Sequence, residues 1–154
     1  MIEFEFPSPA FVVFADAVEN KAALFRLIAE HAALIADVDA VAVENQLVAR
    51  EKLGSTGFGD GVAIPHGRIK GHTKPFGMFF RLNMPVDYDS VDDLPVDCIF
   101  ALFSPEADGA THLRALARIS RRLRDRDFVA KLRGARSTDA VFALLTNFEA
   151  ADAA

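Results

Sequence analysis

The residue whose type and position best suit chemistry in this chain is His66. It follows residues 62–64, an apolar run short enough for a buried strand, and it comes directly after Pro65. Proline fixes its own φ angle and biases the preceding residue toward an extended backbone, so the imidazole is held on a stiff stem. An unprotonated imidazole is a competent nucleophile near pH 7, because its ordinary pKa is about 6.5. The alternative is a structural histidine whose ring hydrogen-bonds a loop carbonyl.

A glycine-rich segment precedes that strand. Residues 54–61 have the sequence Gly-Ser-Thr-Gly-Phe-Gly-Asp-Gly and are predicted to form a loop. Glycine lets backbone N–H groups come close to an anion, and serine and threonine add hydroxyl donors. The segment is therefore a candidate phosphate-binding loop through Ser55, Thr56 and Gly57. Serine and threonine are also common in turns for purely local reasons, so turn formation is the alternative.

Two further residues, Arg50 and His112, are the candidates to surround a phosphoryl group at His66. Phosphoryl transfer mainly requires positioning, together with positive or hydrogen-bond-donating groups around the three equatorial oxygens. Arg50 lies near the end of a predicted helix, and His112 lies near the start of another. On spacing alone, each of them fits a surface position equally well.

The motifs of several other kinds of site are absent from the sequence. The glycine-rich segment has neither the Gly-Lys-Ser/Thr ending of a P-loop nor the Gly-x-Gly-x-x-Gly spacing of a dinucleotide fold. The four histidines form no HExxH pair, and the single cysteine, Cys98, excludes a multi-thiol zinc site. The Gly-x-Ser-x-Gly of a serine hydrolase is also missing. We therefore expect no metal, haem or nucleotide cofactor.

The composition fits one soluble domain over residues 1–154, with residues 1–9 and 149–154 loosely ordered. A chain of 154 residues, 51% of them hydrophobic, is enough for one substantial core. A net charge of -5 argues against nucleic-acid binding, which depends on surplus Lys and Arg. The N-terminus lacks the basic start of a signal peptide, and no apolar stretch approaches the roughly 18 residues that span a bilayer. A cytoplasmic location without membrane insertion is therefore expected.

Basic residues are nevertheless concentrated in one stretch. Residues 110–136 contain nine Arg and Lys residues against two Asp residues, a surplus of seven. Such a surplus marks either a docking surface or the solvated outer face of a helix.

The apolar periodicity predicts strands interleaved with helices. Four strands are expected, at residues 11–14, 62–64, 76–82 and 96–103. Five helices are expected to begin after Asn20, near Asp39, at Thr111, near residue 128 and at residues 137–139. The gap between residues 64 and 76 is too short for a crossover helix, which predicts a mixed sheet. The fold class is thus α/β, a three-layer α/β/α sandwich with a mixed, mainly five-stranded sheet covered by helices on both faces.

The same periodicity predicts which side chains face the core. In the first three helices they are Leu24, Leu27, Ile28, His31, Leu34 and Ile35, then Val43, Leu47 and Val48, then Leu113, Leu116, Ala117, Ile119 (or Ser120) and Leu123. The run at residues 96–103 is almost continuously apolar, so it is expected to be a central strand that buries Cys98 and Phe100.

One continuous segment, residues 50–67, closely resembles the phosphorylation-site signature of a known family. It reads Arg-Glu-Lys-Leu-Gly-Ser-Thr-Gly-Phe-Gly-Asp-Gly-Val-Ala-Ile-Pro-His-Gly, and the family is the fructose and mannitol class of enzyme IIA domains of the bacterial phosphotransferase system. Residues 94–102, 111–113 and 120–125 also look like this family, so the resemblance runs from about residue 40 to residue 145. One departure is Asp60, where asparagine is frequent. A carboxylate near a phosphoryl acceptor would be repulsive, so Asp60 is expected to point outward.

The resemblance implies that His66 accepts a phosphoryl group from the phosphohistidine of a small HPr-type carrier protein. It also implies that His112 lies beside His66 and helps to orient the phosphate, with Arg50 as a nearby cation. The Gly-Ser-Thr-Gly-x-Gly motif and the Arg-Arg-Leu-Arg-Asp segment look most like the nitrogen-regulatory branch, which implies a phosphotransferase component that signals to regulatory target proteins. The alternatives are a sugar-uptake enzyme IIA that passes phosphate to a IIB domain, and a non-catalytic interaction module.

Overall fold

The structure is a computed structural model that describes residues 8–153, and the side chains of residues 8–147. The ends expected to be loosely ordered are residues 1–9 and 149–154; of these, residues 1–7 and 154 lie outside this range, and the backbone of residues 149–153 is helical. Within the range, Ser8 accepts a hydrogen bond from the backbone N–H of Ala10 and caps a short 3-10 helix, Pro9–Phe11. In the described part of the chain, no helix is both long and apolar enough to cross a membrane.

The described residues form six strands and five α-helices. The strands are β1 (Val12–Ala15), β2 (Gly57–Gly59), β3 (Val62–Ala63), β4 (His66–Ile69), β5 (Phe76–Val86) and β6 (Val96–Pro105). The helices are α1 (Lys21–Ala36), α2 (Ala40–Lys52), α3 (Gly109–Leu123), α4 (Arg126–Gly134) and α5 (Thr138–Ala153). The four predicted strands and the five predicted helices are all present, with boundaries that differ by a few residues.

The central strand of the sheet is β6. It pairs antiparallel with β5 on one side, and parallel with β3 and β4 on the other. β1 joins the sheet parallel to β5, and β2 joins it antiparallel to β3, so the order is β1-β5-β6-β3-β2 with β4 beside β6. Nine of the ten residues of β6 are buried, as a strand covered on both faces requires. The α/β class, the mixed sheet and the central position of this strand are confirmed.

Two strands, β2 and β4, are additional to the four strands located in the sequence. The sheet therefore has six strands, where mainly five were predicted. Residues 57–59 were expected in a loop, but they form β2, which folds back on β3. The reason is the Asp60-Gly61 pair, whose φ angles of 57° and 79° suit the two central positions of a type I′ hairpin turn. Aspartate tolerates this left-handed conformation better than most residues. As predicted, Asp60 points outward, with 62% of its side chain exposed.

The buried faces of α1 and α3 agree with the predicted ones only in part, since Leu24, Ile28, Ile119 and Leu123 are buried as predicted. α1 buries Leu24, Phe25, Ile28, Ala29 and Ala32, and α3 buries His112, Ala115, Ile119 and Leu123. Leu34 and Leu113 therefore lie outside, 82% and 67% exposed. The prediction placed Leu34, Leu113 and Ala117 inward, whereas the helices bury Ala29, Ala32 and Ala115, which lets a helix pack closely against its neighbours. The N-cap of α3 is Asp108, not Thr111, because the Asp108 carboxylate accepts a hydrogen bond from the Thr111 N–H at 3.0 Å.

The other core predictions are confirmed. Leu47 and Phe100 are 1% and 0% exposed, and Leu116 is partly buried against the same core. Cys98 is also buried, and burial raises the pKa of its thiol to about 12, so it stays protonated.

Two helical leucines that differ greatly in exposure, Leu47 and Leu34, give a matched test of this packing. Leu47→Ala is expected to lower the free energy of unfolding by roughly 2–5 kcal/mol, because it removes buried methyl groups and leaves a cavity. The same substitution at Leu34 is expected to change it by less than about 0.5 kcal/mol. Urea denaturation of both variants measures the difference, and equal effects would contradict the helix phasing.

Candidate functional site

His66 is the first residue of β4 and lies buried at 8% exposure beside the central strand. Its Nδ1 lies 2.8 Å from the carbonyl oxygen of Ile64. A carbonyl oxygen only accepts hydrogen bonds, so Nδ1 carries the ring proton. Arg50 donates its Nε–H to Nε2 of His66 at 3.2 Å, and an arginine is always a donor. Both contacts fix the same tautomer, in which Nε2 holds the free electron pair and is the nucleophilic nitrogen.

The position of Arg50 follows from the close packing of α2 on β4. A Cβ atom added to Gly67 would lie 2.9 Å from the Cβ of Gln46, so only glycine permits this approach. Arg50 is one turn beyond Gln46 on the same face of α2, which brings its side chain over His66. A second donor, Nη1, binds the carbonyl oxygen of Gly54 at 2.9 Å. The guanidinium therefore bridges the end of α2 and the His66 ring.

His112 reaches the same place from the first turns of α3. Its ring centroid lies 5.4 Å from that of His66, with 44° between the ring planes, and the residue is 8% exposed. Nδ1 of His112 lies 2.6 Å from Oγ of Ser104, a fully buried residue of β6. This contact fixes the orientation of the His112 ring and leaves its other nitrogen, Nε2, outside the bond to Ser104. The structure thus brings together Arg50, His66 and His112, the three residues that the sequence predicts as catalytic.

These three residues line a cavity of about 490 Å³. Arg68, two residues beyond His66 on β4, lines it too and donates hydrogen bonds to the carbonyl oxygens of Pro105 and Glu106. Sequence analysis missed Arg68, although the two-residue period of a strand places it on the same face as His66. Ser104 was also missed.

Both histidines of the cavity are unprotonated at neutral pH. Burial lowers the pKa of His66 and the positive charge of Arg50 lowers it further, although the bond to Ile64 and the charge of Glu51 act in the opposite direction. Burial, His66 and Arg68 lower the pKa of His112 to about 4. The cavity therefore contains two neutral imidazoles and two fixed cations, an arrangement suited to an anionic group.

The predicted phosphate-loop residues Ser55, Thr56 and Gly57 do not line this cavity. The Thr56 hydroxyl lies 2.5 Å from Oε1 of Glu51 and 2.7 Å from the hydroxyl of Tyr88. Oγ of Ser55 accepts a hydrogen bond from the Gly57 N–H at 3.1 Å, as in a local serine turn. These hydrogen bonds stabilise the loop itself. The cations that line the cavity are Arg50 from α2 and Arg68 from β4.

A larger groove, of about 790 Å³, lies near the start of β6 and contains part of the basic surplus. It is lined by Arg124, Arg126 and Arg133, and it has no histidine among its described residues. Arg133 binds Asp97 at 2.8 Å, and Arg126 lies 3.4 Å from Asp60. Since its two carboxylates are paired with arginines and no imidazole is among its described lining residues, the smaller cavity is the candidate site for chemistry.

Comparison with known families agrees with the chemistry of this cavity. Residues 6–148 match the family described as the phosphoenolpyruvate-dependent sugar phosphotransferase system, EIIA 2. The chain belongs to this family of phosphotransfer components, as the resemblance of residues 50–67 predicts.

Individual relatives point to one branch of the family. A nitrogen regulatory protein of Bradyrhizobium diazoefficiens is 44% identical over 138 residues, which are 90% of this chain and 90% of that protein. The solved structure of nitrogen regulatory protein IIA-Ntr from Neisseria meningitidis has a TM-score of 0.83 at 35% identity, over 90% of this chain and 94% of that one. The complex of the Escherichia coli mannitol enzyme IIA with phosphorylated enzyme IIB shares the fold, with a TM-score of 0.73 at 20% identity over 94% and 99%. The predicted similarity to the nitrogen-regulatory branch is confirmed.

The lowered pKa values predict how stability depends on pH. Between about 6.5, the ordinary pKa of histidine, and about 4, the folded-state pKa of His112, the unfolded chain binds more protons than the folded one. The free energy of unfolding is therefore expected to be highest above pH 6.5 and to fall as pH is lowered through this window. Allowing for solvent at the cavity mouth, the contribution of His112 between pH 7 and pH 5 is roughly 1 kcal/mol.

Urea denaturation at pH 7 and pH 5 measures this loss. His112→Asn removes the titrating group, so the variant is expected to lose less stability than the wild type between the two pH values. An equal loss in both proteins would show that His112 is protonated alike in the folded and unfolded states.

Proposed function

We propose that this chain is a phosphohistidine phosphotransferase that accepts a phosphoryl group on Nε2 of His66 from the phosphohistidine of an HPr-type carrier. The observation that carries the proposal is the hydrogen bond from Nδ1 to the Ile64 carbonyl at 2.8 Å. It leaves the Nε2 electron pair directed into a cavity that contains Arg50 and His112. Membership of the phosphotransfer family supports the same reaction.

The transfer requires one bond to form and one to break. The Nε2 electron pair of His66 attacks the phosphorus atom, and the bond from phosphorus to the donor imidazole breaks, so the donor leaves with its own electron pair. Nδ1 keeps its proton throughout and donates it in the hydrogen bond to the Ile64 carbonyl. The resulting positive charge of the His66 ring is balanced by the phosphoryl oxygens beside it.

Arg50 and His112 are the groups proposed to hold those oxygens. Once Nε2 of His66 is bonded to phosphorus, it can no longer accept the hydrogen bond from Arg50. Arg50 then donates to the phosphoryl oxygens instead. If the Ser104 hydroxyl donates to Nδ1 of His112, the His112 proton is on Nε2, where it can be donated to a phosphoryl oxygen. The neutral state of His112 is no obstacle, because a neutral imidazole is still a donor.

The proposed output is regulation by docking. Phosphorylation adds a charge of about -1.5 to -2, at the mouth of a cavity flanked by two exposed leucines, Leu53 and Leu113, which are 84% and 67% exposed. A target that packs on this apolar rim would meet a different charge in the two states, and the carrier would dock there as well. The similarity to nitrogen regulatory proteins supports this role, and the cytoplasm is the proposed location.

Two other functions compete with this proposal. In a sugar-uptake enzyme IIA, the phosphoryl group would pass from His66 to a IIB domain, as the mannitol complex with phosphorylated IIB suggests for a protein of the same fold. In a non-catalytic interaction module, the fold alone would bind the partner. Rapid transfer to a IIB cysteine would favour the first, and partner binding that is unchanged in His66→Ala would favour the second.

The acceptor is tested by intact-mass spectrometry after incubation with phosphoenolpyruvate, enzyme I and an HPr-type carrier. The wild type is expected to gain one acid-labile phosphoryl group, and His66→Ala none, because the other imidazole among the described lining residues, His112, is proposed to keep its proton on Nε2 and its Nδ1 against Ser104. Carriers of the sugar branch and of the nitrogen branch are both used. If the wild type gains no phosphoryl group with either carrier, the proposed phosphocarrier function is contradicted.

His112→Ala is expected to slow phosphoryl transfer on the order of 100-fold, because one donor to the transferring oxygens is lost. Ser104→Ala is expected to give a smaller decrease, since it frees the His112 ring without removing it. Rapid-quench measurement of transfer from the phosphorylated carrier provides the rates, and circular dichroism checks the fold. Wild-type rates in His112→Ala would remove this residue from the mechanism.

A further inference from the structure

A buried carboxylate follows Arg50 in the chain but does not line the phosphoryl-acceptor cavity. The side chain of Glu51, the residue after Arg50, is only 6% exposed. Its Oε1 accepts hydrogen bonds from the N–H and the hydroxyl of Thr56, at 3.0 and 2.5 Å, and its Oε2 lies 3.1 Å from Nζ of Lys21. Tyr88, fully buried, adds its hydroxyl 2.7 Å from that of Thr56. A buried charge persists only when it is paired and hydrogen-bonded in this way.

One arm of this cluster reaches His66 through the backbone. Glu51 holds the N–H and the side chain of Thr56, and the carbonyl oxygen of Thr56 accepts a hydrogen bond from the Ile64 N–H at 3.0 Å. The carbonyl of Ile64 in turn accepts the Nδ1 proton of His66 at 2.8 Å. Thr56 is thus anchored by the carboxylate on one side, and on the other it anchors the peptide that selects the tautomer of His66.

The second arm reaches Arg50 through the same short loop. α2 ends at Lys52, and only three residues separate it from Thr56, so fixing Thr56 against Glu51 closes the chain tightly. Within this loop Gly54 has a φ of 145°, a conformation that favours glycine, and its N–H bonds back to the Glu51 carbonyl at 3.2 Å. Its own carbonyl then accepts Nη1 of Arg50 at 2.9 Å.

We propose that Glu51 is a positioning residue for phosphoryl transfer: by fixing Thr56, its carboxylate holds both the Ile64 carbonyl that orients His66 and the Gly54 carbonyl that aims Arg50. The inference rests on the proposed function, because it assigns a role within the same reaction. Glu51 touches neither the transferred group nor the reacting nitrogen. It acts through the two residues that do.

The charge of Glu51 adds a second, electrostatic influence. The groups packed on the carboxylate are Lys21 from α1, Tyr88 from the connection between β5 and β6, and Thr56, with Arg50 beside it on α2. Lys21 balances the charge, and the carboxylate still acts to raise the pKa of His66 against the effect of burial. Removing the charge should therefore lower the pKa of His66 further, an effect that a purely structural residue would not have.

The test compares Glu51→Gln with Glu44→Gln. Glu44 is a matched control on the same helix, where its carboxylate lies 3.7 Å from Arg26. The rate of phosphoryl transfer from the phosphorylated HPr-type carrier is measured as kcat and KM, and the pKa and tautomer of His66 are measured by nitrogen-15 NMR. In Glu51→Gln, kcat is expected to fall about 10- to 100-fold, with KM changed less than about threefold because the apolar rim is kept. The His66 pKa should fall and the ring should lose its single tautomer, while Glu44→Gln behaves as the wild type.

A second pair of variants covers the case in which Glu51→Gln does not fold. Thr56→Val keeps the shape of the side chain but removes the hydroxyl that the carboxylate holds, and Thr56→Ser keeps the hydroxyl. Thr56→Val is expected to lower kcat, and Thr56→Ser to restore it. This inference alone would be overturned if the wild type accepts phosphate and a folded Glu51→Gln or Thr56→Val variant keeps the wild-type kcat and the wild-type His66 tautomer. A wild type that accepts no phosphate would overturn the proposed function instead.

Discussion

The hydrogen bond between Nδ1 of His66 and the Ile64 carbonyl is the interaction on which the rest of the site depends. An imidazole has two similar nitrogens, and its reactivity depends on which of them carries the proton. A backbone carbonyl two residues earlier settles this without any charged partner, at 2.8 Å. Pro65 makes the geometry possible, since its ring restricts the backbone between the donor and the acceptor. Nε2 then faces the cavity, and the surrounding elements need only supply donors there.

Those donors come from elements that the central strand holds in place. β4 pairs with β6 so that His66 lies opposite Leu102, and Ser104, two residues further along β6, reaches the ring of His112. α3 begins directly after β6, so one strand positions both histidines. α2 approaches from the other side, where Gly67 has no side chain to keep it away. The histidine pair and the arginine therefore depend on backbone pairing and close packing, and a shift of β6 would displace all three.

The sequence could predict this site in part. Long apolar runs predict β5, β6 and most helices correctly, and Arg50, His66 and His112 do meet in one cavity. The hairpin at Asp60-Gly61 was missed because the abundance of glycine hid a specific turn. Leu34 and Leu113 were wrongly assigned to the core because alanine, being small, gives a weak apolar pattern that hid the buried alanines of α1 and α3. Contacts such as that between Glu51 and Tyr88, 37 residues apart, have no local pattern from which to predict them.

Two adjacent, oppositely charged residues of α2 bind separate sets of partners. Arg50 and Glu51 carry opposite charges, yet the arginine binds two neutral acceptors, Nε2 of His66 and the Gly54 carbonyl, while the carboxylate faces Lys21 and Thr56. Had the two side chains paired with each other, the guanidinium would have to give up a bond to a carboxylate before it could bind an anion. Because its partners are neutral, exchanging one of them for a phosphoryl oxygen strengthens its hydrogen bonding. The cation is thus held in position without being neutralised, which is the condition that an incoming phosphoryl group requires.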